Sequence, residues 1–179
     1  MSRLAPIAAV LLAGGALFTP MSPGLAAEQV VMAPAAALTE PATGHKETAI
    51  FAGGCFWGVD GVFSHVKGVI SATSGYAGGK ASTADYEAVS TGTTGHAESV
   101  KVVFDPAQVN YADLLRIYFS VVADPTLVNR QGPDSGTQYR SALFPVTSAQ
   151  EKVARAYIAH PDRPKVEALK RLFPKSWKA

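Results

Sequence analysis

The chain has 179 residues, a single cysteine and a formal charge of +2, a length suited to one domain with its own core. Its composition, 47% hydrophobic and 17% charged, is that of a soluble globular protein and excludes wholesale disorder. So small a positive balance excludes the electrostatic footprint of a nucleic-acid or membrane-surface binder, and the basic residues that gather late (Arg163, Lys165, Lys170, Arg171, Lys175, Lys178) read as a solvated face.

The first element is an address. Arg3 precedes an apolar stretch over 8–18, Pro20 follows, and small residues stand at Gly24, Ala26 and Ala27. This is the order of a secretory signal peptide over 1–27, cleaved after Ala26 or Ala27; the stretch is too short to span a bilayer, which takes roughly 20 residues. It predicts a bacterial periplasmic or secreted protein, with no membrane association after cleavage. Residues 28–45, rich in Ala and Pro, read as a flexible linker, and a domain as running from 46 to 179.

Within that domain, 48–52 (TAIFA) predicts a short buried strand, broken by Gly53-Gly54. Phe56, Val59, Val62, Phe63 and Val66 recur at helical spacing, so a helix starts near Cys55. Residues 69–74 read as a strand, 75–83 (GYAGGKAST) as a glycine-rich loop, and 97–104 (AESVKVVF) as an alternating strand closed by Asp105-Pro106. Asn110 caps a helix over 111–122. A polar loop follows over 123–138, long enough to suggest function. Residues 139–144 (YRSALF) predict a strand, and Ser148 with Glu151 a capping box that opens a helix to 158. The order strand, helix, two strands, helix, strand, helix predicts an α/β fold: a two-layer sandwich of a mixed sheet with helices packed against it, a ferredoxin-like core.

The lone cysteine cannot form an internal disulfide, so it is either a small buried hydrophobe or a reactive thiol. Cys55 follows a Gly-Gly break at a strand end and opens a helix, where unpaired N–H groups and a partial positive charge favour a thiolate. Position alone leaves both readings open. The four histidines, His45, His65, His96 and His160, show no ligand spacing, so no metal is expected. A papain-like protease needs a histidine to activate its thiol, and neither His96 nor His160 lies in a suitable context. A thiol peroxidase is a poor fit to the aromatic pair that follows the cysteine.

That neighbourhood decides the matter. Gly54-Cys55-Phe56-Trp57-Gly58 closely resembles the signature of the A-type peptide methionine sulfoxide reductases. Lys67-Gly68-Val69, Gly75-Tyr76-Ala77-Gly78-Gly79, Gly95-His96-Ala97-Glu98, Asp124-Pro125-Thr126, Asn129-Arg130-Gln131-Gly132 and the run from Asp134 to Ser141 follow in the family's order. The resemblance covers roughly 47–158, and 164–174 more weakly. It implies a thiol oxidoreductase, a peptide-methionine (S)-S-oxide reductase, that repairs oxidised methionine, free or in proteins. Cys55 would be the nucleophile, Glu98 the acid, Tyr86 and Tyr139 hydroxyl donors to the sulfoxide oxygen, and Asp134 a polar support. Phe56 and Trp57 would wall the substrate's methyl group. Each residue also has a plainer reading: Glu98 as an edge charge, the tyrosines as ordinary half-buried residues, Phe56 and Trp57 as core. The resemblance further implies no bound cofactor, a cysteine sulfenic acid reduced by an external thiol or a thioredoxin-like partner, and a monomer.

Three departures from the family stand out. A cysteine of some relatives is Ser90, and a histidine before Asp124 is Ala123. A family segment after 158 is not found; the chain runs His160-Pro161-Asp162-Arg163 into 164–174, which resembles the closing helix of longer relatives. A second reading therefore stays open, a member that binds oxidised methionine peptides without turnover.

Overall fold

The structure is a computed structural model that describes residues 32–159. The signal peptide and its cleavage site, His160, the site of the missing family segment and the expected helix over 164–174 lie outside the described residues.

The chain order is β1 (Glu47–Ala52), α1 (Phe56–Ser64), β2 (Val69–Ala77), the five-residue α2 (Tyr86–Ser90), β3 (Ala97–Phe104), α3 (Tyr111–Ile117), the two-residue strands β4 (Arg130–Gln131) and β5 (Asp134–Ser135), β6 (Ala142–Phe144) and α4 (Ser148–Ile158). The main sheet has the order β2-β3-β1-β6, and every pairing in it is antiparallel. A βαββαβ path with that strand order is the ferredoxin-like arrangement, so the α/β sandwich read from the sequence is the observed architecture.

Alternation along β1 and β3 sorts side chains between the two faces of the sheet. Ala49, Phe51, Val100, Val102 and Phe104 enter the main core with Val59, Phe63, Leu114, Leu115, Tyr118 and Tyr157. Ile50 and Ala52 turn the other way, into a small cluster with Ala97, Ala142 and Phe144. Phe51 is the hub: its ring stacks on Phe63 at 4.8 Å, Tyr118 at 5.5 Å and Tyr111 at 5.9 Å. Each such pair contributes roughly 0.5–1.5 kcal/mol beyond its buried area. Tyr118 also donates its hydroxyl to the Ala52 carbonyl at 2.7 Å, which ties the end of β1 to the helical layer.

Local chemistry explains most boundaries. Asn110 forms a full capping box with Asp113 at the start of α3, as its side chain predicts. Helix α4 is capped by Thr147, whose hydroxyl accepts from the Gln150 N–H, one residue earlier than the expected Ser148. The helix expected over 111–122 is α-helical only to Ile117, and a π-helical turn, Tyr118–Val122, completes it. Strand β2 runs on through Gly75, Tyr76 and Ala77, which pair with Ser99, Glu98 and Ala97; the expected loop there begins only after Ala77. The polar loop over 123–138 is partly ordered by the β4–β5 pair. The expected strand start at Tyr139 is instead the last residue of a 3-10 turn, Thr137–Tyr139.

The linker expected over 28–45 is corrected over 33–38, where the chain packs on the domain. The Ala33 N–H donates to Ser120 Oγ at 2.9 Å, Arg116 Nε donates to the Ala33 carbonyl at 3.0 Å, and the Tyr157 hydroxyl donates to the Pro34 carbonyl at 2.7 Å. Ala33 is buried, and Ala36 and Leu38 pack on the core. The apolar side chains that looked patternless cover the α3–α4 surface as a strap, and Pro34 has no N–H to leave unsatisfied. Among the described residues no helix is long and apolar enough to cross a membrane.

Candidate active site

Antiparallel pairing of β1 with β3, in the register Phe51↔Val100, sets the C-terminal end of β1 beside the N-terminal end of β3. Cys55 lies three residues beyond β1, at the N-cap of α1, and is half-buried. The approach to it is tight. Gly54 has φ +94°, and a Cβ there would stand 2.7 Å from Gln131 Cβ; a Cβ on Gly53 would stand 2.8 Å from Val122 Cγ1. Only glycines let the chain turn here under the β4 segment. Gln131 is held in place as its Oε1 accepts from the Asp124 N–H at 3.1 Å, so the long polar loop closes over the Gly-Gly turn.

Glu98 enters from β3 and is 5% exposed. Its Oε2 accepts from the Phe56 N–H at 3.0 Å, one of the free donors of the first turn of α1. Burial pushes its carboxyl above the ordinary range and the nearby Asp134 charge adds to that, while the Phe56 N–H works against it. Tyr139 stands at the end of its 3-10 turn, half-buried. Its phenol is pushed up first by burial and then by Glu98, Asp134, Tyr86 and Cys55. That set of neighbours places four of the expected site residues within electrostatic reach of Tyr139. Asp134 comes from β5, and Tyr86 opens α2 after an Asp85 cap that accepts from the Ala88 N–H at 2.9 Å.

The apolar side is aromatic. Phe56 lies with its ring centroid 6.4 Å from Trp57 and 5.7 Å from Tyr76. Trp57 is 77% exposed and Tyr86 is 63% exposed, too much for core side chains of their size. The structure thus brings together all seven sequence-derived residues: Cys55, Phe56, Trp57, Tyr86, Glu98, Asp134 and Tyr139. A thiol, a protonatable carboxyl, two phenols and an apolar wall are the parts needed to attack a polar electrophile with a small apolar substituent.

Tyr76 is a resident of this site that the sequence reading gave no role. It pairs across the strands with Glu98, and burial and the Glu98 charge push its phenol up. Its β-alternation was the available signal, hidden by the surrounding glycines. His96 is not a thiol activator: its Nδ1 accepts from the Gly79 N–H at 3.2 Å and its Nε2 donates to the Lys80 carbonyl at 3.0 Å. At the two substituted positions, Ser90 donates to the Tyr86 carbonyl at 2.6 Å, and Ala123 is buried. Among the described residues no group of three or more His, Cys, Asp or Glu could hold a metal ion.

Comparison with known proteins agrees with this geometry. The family model described as peptide methionine sulfoxide reductase matches residues 47–169. The chain is 57% identical over 129 residues to peptide methionine sulfoxide reductase MsrA 2 of Mesorhizobium japonicum, an alignment that covers 72% of this chain and 66% of the relative. It is 58% identical over 112 residues to the MsrA 2 protein of a Synechocystis species, covering 63% and 52%. The chain therefore spans about half to two thirds of the length of these relatives. Among solved structures, methionine sulfoxide reductase A of Corynebacterium diphtheriae superposes with a TM-score of 0.57 at 33% identity, covering 75% of this chain and 69% of that one. Reduced Mxr1 from Saccharomyces cerevisiae gives 0.56 at 30%, covering 67% and 71%. With the family model matched across both layers of the sandwich and through the Cys55 turn, this chain belongs to the peptide methionine sulfoxide reductase family.

Proposed function

We propose that the chain reduces methionine S-sulfoxide, free or within oxidised proteins, to methionine. The observation that supports it most is the Glu98 carboxyl bonded to the N–H of the residue after Cys55. That contact holds an acid beside a nucleophile, and the Phe56–Trp57 wall lies on the same turn. Sulfoxide sulfur is electrophilic, but its oxygen leaves poorly unless protonated. The Cys55 thiolate attacks that sulfur while Glu98 supplies the proton and Tyr86 and Tyr139 donate hydrogen bonds to the oxygen. The methyl substituent rests against Phe56 and Trp57. The oxygen ends on Cys55 as a sulfenic acid, the sulfoxide sulfur gains two electrons, the cysteine sulfur loses two, and methionine leaves. Two equivalents of an external thiol, or a thioredoxin-like dithiol, then return Cys55 to the thiol and release water and a disulfide. The proposed reaction needs no bound cofactor.

The test is turnover of separated S and R epimers by protein spanning 28–179 with excess dithiothreitol, methionine being quantified by chromatography with Cys55→Ser alongside. Loss of the S epimer alone, dependent on Cys55, is the expected result. A folded protein that binds the sulfoxide but does not reduce it would reject the enzyme in favour of a binding member. The order of residues 1–27 supports export to the periplasm or medium, and work on the chain as a monomer follows the family; fractionation and light scattering check both.

A further inference from the structure

We propose that Arg140 is a positioning residue for the reaction, its guanidinium stapling the turn that carries Tyr139 to the segment that leads into Glu98. The inference rests on the functional reading above and adds a residue that the reading does not use. Arg140 Nη1 donates to the His96 carbonyl at 3.0 Å and to the Thr137 carbonyl at 2.8 Å, and Nη2 donates to the Gly95 carbonyl at 2.9 Å. All three acceptors are backbone carbonyls, and among the described residues the only salt bridge is Arg155 with Glu151. A half-buried arginine that meets carbonyls rather than a carboxylate serves shape rather than charge pairing. The planar fork of the guanidinium reaches acceptors on two separate segments at fixed angles, which a single ammonium does not reproduce.

The surroundings are fitted to it. Gly78 has φ +96°, and a Cβ there would lie 2.8 Å from Arg140 Nη2 and 3.2 Å from the Gly95 carbonyl. His96 braces the same region from the other side through Gly79 and Lys80, and the Tyr76 ring meets it edge-on at 6.1 Å. Three segments, 78–80 after β2, 95–96 before β3 and 137–140 before β6, are joined by two side chains. They adjoin Tyr76, Glu98 and Tyr139, the groups that surround the attacking sulfur's partner. Because a misplacement of about 1 Å can cost on the order of 100-fold in rate, a clamp between the acid and a hydroxyl donor sets kcat rather than affinity.

The experiment compares wild type, Arg140→Lys and Gly78→Ala, each confirmed folded by thermal unfolding. For each, kcat and KM on the S-sulfoxide, the pH profile of kcat/KM and the rate and extent of Cys55 alkylation by iodoacetamide are measured. Glu98 is faced by the Phe56 N–H from α1, Tyr76 from β2, Asp134 from β5 and Tyr139 from its turn. Loosening that enclosure admits water, so its proton leaves at lower pH. Expected for Arg140→Lys is a kcat lowered about 10- to 100-fold with KM changed less than about threefold. Cys55 alkylation stays near wild type and the alkaline limb of the profile moves to lower pH. A kcat within about twofold of wild type, or a kcat loss matched by lost alkylatable Cys55 with the limb unmoved, overturns the proposal. If Arg140→Lys does not fold, Gly78→Ala carries the same expectations, since it displaces the guanidinium without removing it. A wild type without Cys55-dependent reduction sinks the functional reading and this inference together; an active wild type with indifferent variants sinks the inference alone.

Discussion

At the scale of single residues, Glu98 carries two consequences of one cause. Its carboxyl is pushed above the ordinary 4.5 mainly by burial, so it keeps its proton to higher pH, and the proposed activity is expected to fall as pH rises through the shifted value. The same shift enters stability with a definite sign. Between the ordinary and the raised value the folded chain holds a proton that the unfolded chain has released, so stability declines as pH rises across that window. Glu98→Gln keeps an acceptor for the Phe56 N–H and removes the buried charge. It is expected to lower kcat about 100- to 10,000-fold, to lose the alkaline limb of kcat/KM, and to match or exceed wild-type stability at pH 8 by thermal unfolding. A Gln variant less stable than wild type at pH 8 would show that the carboxylate is stabilised where it lies. The seven expected site residues came from the family resemblance, six of them inside its ordered motifs and Tyr86 outside those motifs. Arg140, His96 and Tyr76 sit in the same motifs, but their contacts, with backbone carbonyls, a loop and a cross-strand glutamate, are set by the fold and have no sequence signature of their own.

Individual elements were read with unequal success for physical reasons. The bounds of β3 and the start of α3 were legible because alternation and an Asn110 cap are local signals. The continuation of β2 through Gly75 was not, since it depends on pairing with β3, and the 3-10 turn at Tyr139 meets a long-range contact, the Arg140 guanidinium that also reaches the Gly95 and His96 carbonyls. Replacing Asn110 with Ala removes the capping box and is expected to cost about 1 kcal/mol, read by denaturant unfolding; no change would mean that tertiary packing alone sets the start of α3. The Gly53-Gly54 turn is less forgiving. Gly54→Ala combines a left-handed φ with a clash on Gln131 and is expected to destabilise by roughly 1–3 kcal/mol and to slow turnover by moving Cys55. The strap has its own titration. Burial and the Glu47 charge raise the Glu40 carboxyl above its ordinary range, and neither Glu40 Oε1 nor the Tyr111 hydroxyl has a hydrogen-bond partner among the described residues. Strap docking therefore weakens as pH rises past that carboxyl. Amide exchange at 33–40, corrected for intrinsic rate, is expected to lose protection at high pH in wild type and to keep it in Glu40→Gln.

At the scale of the whole molecule, the ferredoxin-like order brings the termini of its two central strands, far apart in sequence, to one end of the sheet. Cys55 leaves β1 there and Glu98 enters β3 there, so the site is a product of antiparallel topology. The chain has one cysteine, and in the proposed reaction this fixes the form of the oxidised chain. One equivalent of sulfoxide without reductant is expected to leave a single oxygen on Cys55, trapped by dimedone and seen by intact mass, with no intramolecular disulfide. In the absence of dimedone, which displaces that oxygen as water, an oxidised species lacking it would contradict the direct-reduction route.

The half-burial of Cys55 next to a solvent-facing Trp57 has one more consequence. A sulfenic acid held there, with no neighbouring thiol in the chain to cap it, is open to a second oxidation to the sulfinic acid, a form that common thiols do not reverse. The number of turnovers per molecule in the proposed reaction is then set by a race between reductant and peroxide. Under the proposed function, a chain whose reducing supply fails becomes a consumable, retired by the oxidants it would work against.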